Sequence, residues 1–283
     1  MTRARLEQTF ARLAEARRAA LVAFLTTGDP SVAESADAAR ALLRGGVDIL
    51  ELGVPFSDPT ADGPTIAEAS ARAIQRGGSL RATLGVAQAL RAEFEAPIVL
   101  FTYYNPILAF GEQAFVEAAA AAGVDAVLIV DLPPEEGAGL RAALAQAELC
   151  VVPLLTPVSD SARECAALQG ARGFVYYVSV TGVTGSAAQA PGAEHESSDM
   201  LSHHAAAGRA ARALAERSGL PVVVGFGIDS VAKARAVVEA GASGVVVGSQ
   251  LVRLIAEEPH AAAREAKLSA WARELRAVLS YPD

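Results

Sequence analysis

Eight short apolar runs recur along the chain, each closed by turn-forming residues. They read "ALVAFLTTG" from Ala20, "VDILELGVP" from Val47, "PIVLFTYY" from Pro97 and "AVLIVDLP" from Ala126 in the first half. The second half continues with "CVVPLLTP" from Cys150, "GFVYYVSVTG" from Gly173, "PVVVGFGI" from Pro221 and "GVVVGSQLV" from Gly244. Nearly unbroken Val/Ile/Leu runs suit strands buried on both faces, as in parallel sheets. Alanine-rich stretches such as "VAESADAARALLRGG", "FVEAAAAAGV" and "VAKARAVVEAGA" lie between them, and each closes near a glycine that can cap a helix. Ahead of the first run, Leu6, Phe10, Leu13 and Leu21 mark the apolar stripe of an opening helix to about Arg18.

Eight strands alternating with helices predict a single (β/α)8 TIM barrel over residues 1–283, with an extra N-terminal helix. An open doubly wound sheet is the competitor, but the first strand is followed by no G-x-G-x-x-G. Most strand starts are roughly 23 to 29 residues apart, about one compact βα unit. The connections after strands two and six are nearly twice as long. In a barrel the active site is built from the loops at the C-terminal strand ends, so long loops there are candidate lids. The second of them, "TGVTGSAAQAPGAEHESSDMLSHHAAAG", is rich in Gly, Ser and Ala and reads as mobile.

Composition narrows the function classes. The net charge of −8 comes without a Lys/Arg run, which argues against nucleic acid as a partner. Cys150 and Cys165 form no CxxC and have no histidine pattern nearby, so two reduced thiols in a cytoplasm is the plain expectation. Arg17 and Arg18 before "AALVAFL" imitate a secretory signal, yet the apolar run is short and no A-x-A site follows. No run is long enough to span a bilayer.

The chemistry-bearing residues cluster at predicted strand ends. Glu51 follows "VDIL" directly, where low-dielectric walls suit a general acid or base; a structural carboxylate is the even alternative. Asp58 and Asp62 lie in "GVPFSDPTADGP", where aspartate is also simply a common turn former. "GVTG" at Gly182–Gly185, "GFGI" at Gly225–Ile228 and "GSQLV" from Gly248 follow strands six, seven and eight. Loops there commonly bind phosphate through backbone N–H groups and a helix start, to which Ser249 adds a hydroxyl. Of the pairs Tyr103/Tyr104 and Tyr176/Tyr177, alternation sends only one member inward. His195, Glu196, Asp199, His203 and His204 match no metal-ligand spacing and read as a solvated loop, and Asp131 reads as site periphery.

Taken in order, "FLTTGDP" (24–30), "LELGVPFSDPTADGPTI" (50–66), "TYYNP" (102–106), "VDLPPEE" (130–136), "VSVTGVTG" (178–185), "GFGI" and "GSQLV" make the whole chain resemble the tryptophan synthase α subunit family. The resemblance implies retro-aldol cleavage of indole-3-glycerol phosphate to indole and glyceraldehyde 3-phosphate. By motif, Glu51 matches the general acid that protonates indole C3, and Asp62 the carboxylate that receives the indole N–H. Phe24, Ile66, Tyr103, Tyr176 and Phe226 match the indole pocket, and Thr184 matches a lid residue that meets Asp62 on closure. Gly185, Gly227, Gly248 and Ser249 match the phosphate cradle. Pro55, Phe56 and Asp58 match the surface toward a β subunit in an α2β2 heterotetramer, where pyridoxal phosphate belongs to the β chain and neither cofactor nor metal to this one.

Two departures stand out: Thr60 replaces an expected aliphatic residue, and the connection after "GVTG" is longer than usual by roughly a dozen residues, which loops absorb at small entropic cost. A stand-alone indole-releasing lyase and a silent activating subunit are the alternative readings; retention of Glu51 and Asp62 argues against the second. The synthase of the preceding step needs a strand-end lysine, whereas Lys233 and Lys267, the only lysines, fall on predicted helices.

Overall fold

The computed structural model describes residues 3–179, 195–225 and 227–281. Its strands are β1 (Ala20–Thr26), β2 (Ile49–Gly53), β3 (Ile98–Thr102), β4 (Ala126–Ile129), β5 (Cys150–Val151), β6 (Leu154–Leu155), β7 (Val175–Val178), β8 (Val222–Gly225) and β9 (Gly244–Val247). They form one parallel sheet in the order β5-β4-β3-β2-β1-β9-β8-β7-β6. β5 and β6 are two halves of one predicted strand, divided at Val152 and Pro153. Cys150 pairs with Ala126 on one side and Leu154 with Tyr176 on the other, so the divided stave closes the barrel. Pro153 offers no N–H to a ladder, but its carbonyl still accepts from Tyr176 N at 2.9 Å.

Strand alternation sorts the side chains into two shells. Val22, Phe24, Ile49, Val99, Leu128, Tyr176, Val223 and Val246 pack together inside the barrel. Their strand neighbours Leu21, Leu25, Leu50, Leu52, Leu100, Val175 and Val224 face the surrounding helices. The opening helix, α1 (Arg3–Glu15), plugs one end of the interior with Leu6, Phe10 and Leu13; Phe10 lies 5.7 Å from Phe174. Each such side chain contributes about 1.5–3 kcal/mol when fully buried. The helix stops at Glu15, short of the predicted Arg18, because Arg17 turns the chain at φ 50° and Arg18 already bridges to Ser280.

The repeated βα unit carries a staple at this same end. Asp48, Asp125 and Ser243 each stand just ahead of a strand. Each accepts the N–H that opens the neighbouring strand: Leu21 at 3.0 Å, Ile98 at 2.8 Å and Val222 at 3.0 Å. The first helix of the outer ring, α2 (Val32–Gly45), is defined by residues legible in the sequence. Ser31 caps it by accepting Glu34 N–H at 3.2 Å and donates its hydroxyl to the Glu34 carboxylate at 2.8 Å, and Gly46 ends it in the left-handed region at φ 100°.

The long connection after β2 is mostly helix. α3 (Pro64–Gln75) and α4 (Leu80–Arg91) fill most of it, leaving residues 54–63 as its longest loop. After β7 the described chain resumes as the 24-residue helix α9 (His195–Ser218). The intervening helices are α5 (Tyr104–Phe110), α6 (Glu112–Ala121), α7 (Ala138–Gln146) and α8 (Ser161–Leu168). The ring ends with α10 (Val231–Glu239), α11 (Ser249–Glu257) and α12 (Ala261–Val278).

Two interior glycines give the aromatic residues their space. A Cβ on Gly53 would stand 2.6 Å from the Phe24 ring, and one on Gly225 would collide with the Tyr176 hydroxyl. We expect Gly225→Ala to cost about 1–3 kcal/mol of stability, as overpacking does. The ring carbons beside the hydroxyl would stand at 2.4 and 2.5 Å, so Tyr176→Leu, which removes ring and hydroxyl together, should return part of that loss. Urea denaturation of the single and double variants measures both, and additive losses would show that the two side chains do not meet.

Candidate active site

β2 carries the sequence Ile49-Leu50-Glu51-Leu52-Gly53, and alternation turns Glu51 inward with Ile49 and Gly53. Its Cα is in register with Phe24 on β1 and Val99 on β3, so its nearest lateral neighbours are apolar. The side chain is fully buried, and neither carboxylate oxygen has a hydrogen-bond partner. A charge in such a place is strongly disfavoured. Burial alone lifts the Glu51 pKa to about 8, so the residue holds its proton at neutral pH. Most buried polar groups have partners; an orphan acid in mid-strand, rather than at the expected strand end, is a group held ready for something absent.

Asp62 is held differently. The loop from Val54 to Gly63 folds back on itself through Thr60 N–H to Asp58 carbonyl at 2.9 Å and Asp62 N–H to Pro59 carbonyl at 3.0 Å. The Tyr103 hydroxyl, just past the end of β3, accepts from Ala61 N–H at 3.0 Å and donates to the Asp62 carboxylate. Burial raises Asp62 and the tyrosine bond lowers it, leaving its pKa at about 6. Neighbouring carboxylates with separated acidities are the pattern of acid/base division.

Seven of the expected residues meet around one cavity of about 240 Å³: Phe24, Asp62, Ile66, Tyr176, Gly227, Gly248 and Ser249. Tyr103 lies beneath the Asp62 loop, and Glu51 sits below; burial, and after it the proximity of the Glu51 and Asp62 carboxylates, raise the Tyr176 hydroxyl pKa. Tyr176 is the inward member of its pair and Tyr177 the outward one. Tyr104, by contrast, bonds Glu112 at 2.7 Å on the outside. Gly248 precedes α11 and makes no side-chain cap, so backbone N–H groups at that helix start remain available to an anion, with Ser249 as first helical residue. Thr184, Gly185 and Phe226 lie outside the described residues.

On the outer side of the loop, Pro55 is buried, Phe56 packs on Tyr103 at 5.1 Å and Asp58 is exposed. Thr60 is exposed at the loop tip, where no packing demands an aliphatic side chain. Asp131 accepts Tyr104 N–H at 2.7 Å where α5 begins, and its charge also reaches Tyr103, which keeps it at the edge of the site. Of the histidine-rich segment, His203 is exposed and His204 is 4% exposed; the side chains of His195, Glu196 and Asp199 lie outside the described residues. No metal-binding group of His, Cys, Asp or Glu occurs among the described residues.

Phe101 and the Asp29–Arg72 pair went unnoticed in the sequence. Phe101 shares Tyr103's strand parity and meets Phe24 edge-on at 5.2 Å in the cavity wall. That parity was the available signal. Arg72 on α3 grips buried Asp29 with two bonds of 3.0 and 2.7 Å, and Arg76 adds a bond to the Pro30 carbonyl at 2.7 Å. This anchors the helix that follows Asp62. The two residues are far apart in sequence, and nothing local pairs them.

A closed parallel barrel with a protonated glutamic acid below an apolar cavity and a second, more acidic carboxylate at its rim defines an acid–base barrel enzyme. The family model for the tryptophan synthase alpha chain matches residues 10–279. A tryptophan synthase alpha chain of Xanthomonas euvesicatoria pv. vesicatoria is 43% identical over 276 residues, covering 97% of this chain and 98% of that one. The tryptophan synthase subunit alpha of Legionella pneumophila superposes with a TM-score of 0.84 at 32% identity, covering 97% and 98% of the two chains. A tryptophan synthase structure from M. tuberculosis, in an aminoacrylate-bound form, is similar with a TM-score of 0.80 at 34% identity, over 97% of this chain and 99% of that one. The chain belongs to the tryptophan synthase alpha chain family. It is a carbon–carbon lyase that cleaves indole-3-glycerol phosphate in tryptophan biosynthesis.

The acidity of Glu51 has a consequence for stability. Its folded pKa lies above the unfolded value, so the native state keeps a proton that the unfolded chain releases. Stability is therefore fully present below the unfolded pKa and declines as pH rises toward about 8. Glu51→Gln is neutral throughout and should escape this decline. Between pH 5 and 8 its stability relative to wild type should rise by on the order of a few kcal/mol, read from urea midpoints at both pH values. Parallel pH curves would disprove a raised Glu51 pKa.

Proposed function

We propose that Glu51 and Asp62 divide the work of the retro-aldol cleavage within one barrel domain that spans the chain. What carries the reading is the buried, unpartnered, protonated Glu51 beneath an aromatic cavity. Glu51 gives its proton to indole C3, and positive charge develops at the ring nitrogen. Asp62, ionised above about pH 6, receives the N–H and stabilises that charge. Glu51 is then a carboxylate in a site that disfavours charge, and it regains a proton from the glycerol hydroxyl beside the scissile bond. The hydroxyl oxygen becomes the aldehyde carbonyl as the carbon–carbon bond breaks, and its electrons neutralise the ring. Proton and electron pair both balance, and the acid is regenerated.

Phe24, Phe101, Ile66 and Tyr176 offer an indole ring flat apolar walls. Gly227, Gly248 and Ser249 hold the phosphate at the start of α11, where the helix dipole favours an anion. Thr184, Gly185 and Phe226 complete the lid, cradle and pocket in this reading by their motif positions.

The partner is a tryptophan synthase β chain, which carries the pyridoxal phosphate; this chain needs no cofactor of its own. Pro55, Phe56 and Asp58 form the surface toward it, and Phe56 touches the tyrosine that holds Asp62. Docking there would press on the catalytic loop directly. Cys150 and Cys165, neither in a disulfide, accord with a cytoplasmic setting, and no helix among the described residues is long and apolar enough to cross a membrane.

Glu51→Gln should release no indole from indole-3-glycerol phosphate while still binding it. Asp62→Ala should remain folded and turn over about 10²–10³-fold more slowly, the usual cost of losing one charge-stabilising group. Turnover in the first variant, or unfolding of the second, would refute the assigned roles. The profile of kcat/KM against pH should be a bell with limbs near 6, where Asp62 must ionise, and near 8, where Glu51 must stay protonated. A purified β chain should raise indole production sharply; high activity without it would point to a stand-alone lyase.

A further inference from the structure

α9 runs back along the barrel between β7 and β8 and packs against α10 and β8. His204, in its first half, is 4% exposed. Its Nδ1 lies 2.6 Å from the carbonyl of Met200, one turn earlier. A carbonyl oxygen can only accept, so Nδ1 carries the hydrogen and the neutral ring leaves Nε2 bare. That Nε2 is buried and has no hydrogen-bond partner among the described residues. It faces Gly227, whose backbone is left-handed at φ 69°; a Cβ added there would lie 3.7 Å from Nε2. Gly227 lines the cavity, so the absence of a side chain leaves the imidazole one residue's thickness from the substrate space.

The charge balance around that space needs such a group. Among the described residues no lysine or arginine lines the cavity, whereas the Asp62 carboxylate does. A helix N-terminus supplies roughly half a charge, against a phosphate dianion. Among the groups on α10 and its approach, Lys233 is already paired with Asp229 at 2.8 Å; Arg235 and Glu239 are the remaining charged residues of that helix.

We propose that His204 is a phosphate-binding residue: its Nε2 takes up a proton as the phosphate enters and donates a hydrogen bond past Gly227 to a phosphate oxygen. The inference rests on the phosphate cradle assigned above. The proton comes from solvent and returns there on product release.

Glycerol 3-phosphate is the probe, titrated into the full chain with ¹⁵N-labelled imidazoles. The His204 Nε2 resonance, assigned by its loss in His204→Gln, should move from the unprotonated to the protonated range on saturation. His204→Gln should weaken glycerol 3-phosphate binding about tenfold or more, the worth of one charge-assisted bond, while leaving indole binding unchanged. An unprotonated Nε2 at saturation in the wild-type chain overturns the proposal by itself, whatever the variant's folding. So does a folded variant that binds the probe as tightly as wild type. A wild-type chain that neither binds the probe nor releases indole from indole-3-glycerol phosphate sinks the functional reading together with this one.

Discussion

Closure of a parallel sheet into a barrel imposes one constraint from which the site follows: on every strand, alternate residues must enter a space that excludes water. Most strands meet it with Val, Leu or Phe, and the interior packs accordingly. β2 meets it with a glutamic acid. The same burial that makes this costly keeps the acid protonated at a pH where an exposed glutamate would be ionised. The barrel tolerates the cost because a neutral carboxylic acid without partners loses far less than a buried anion would. Gly53 and Gly225 answer the same constraint, since their missing side chains admit the Phe24 ring and the Tyr176 phenol.

Asp62 shows what a loop adds to a rigid frame. Its carboxylate is reached through a tyrosine that projects from the end of β3, and its following helix is clamped to the β1 loop by Arg72 and Asp29. The loop is thus fixed at both ends and held between them through Ala61, with Phe56 leaning on the same tyrosine from the outer side. A contact made at the surface of residues 55–58 has a short mechanical route to the carboxylate at the rim.

Much of this was legible along the chain. The apolar runs placed the strands because a doubly buried strand has no polar face to interrupt it, and the Ser31 cap and Gly46 stop marked a helix locally. The opening stripe overshot because Arg17 adopts a positive φ that no spacing signals. The single run from Cys150 proved to be two short strands because Pro153 interrupts the ladder. Asp131, expected at the site's edge, also secures the start of α5, which no local signal announced.

The catalytic candidates divide along the same line. Sequence alone determined that Glu51 belongs to an apolar strand, that Asp62 sits in a proline-rich loop and that glycines follow the last strands. Those facts depend on order and residue type. Only the tertiary structure decided that Glu51 has no partner, that Tyr103 holds Asp62, that Phe101 joins the cavity wall and that His204 looks toward Gly227. Hydrogen bonding and desolvation depend on which distant segments come within a few ångströms, and that is settled by the closure of the barrel rather than by neighbours along the chain.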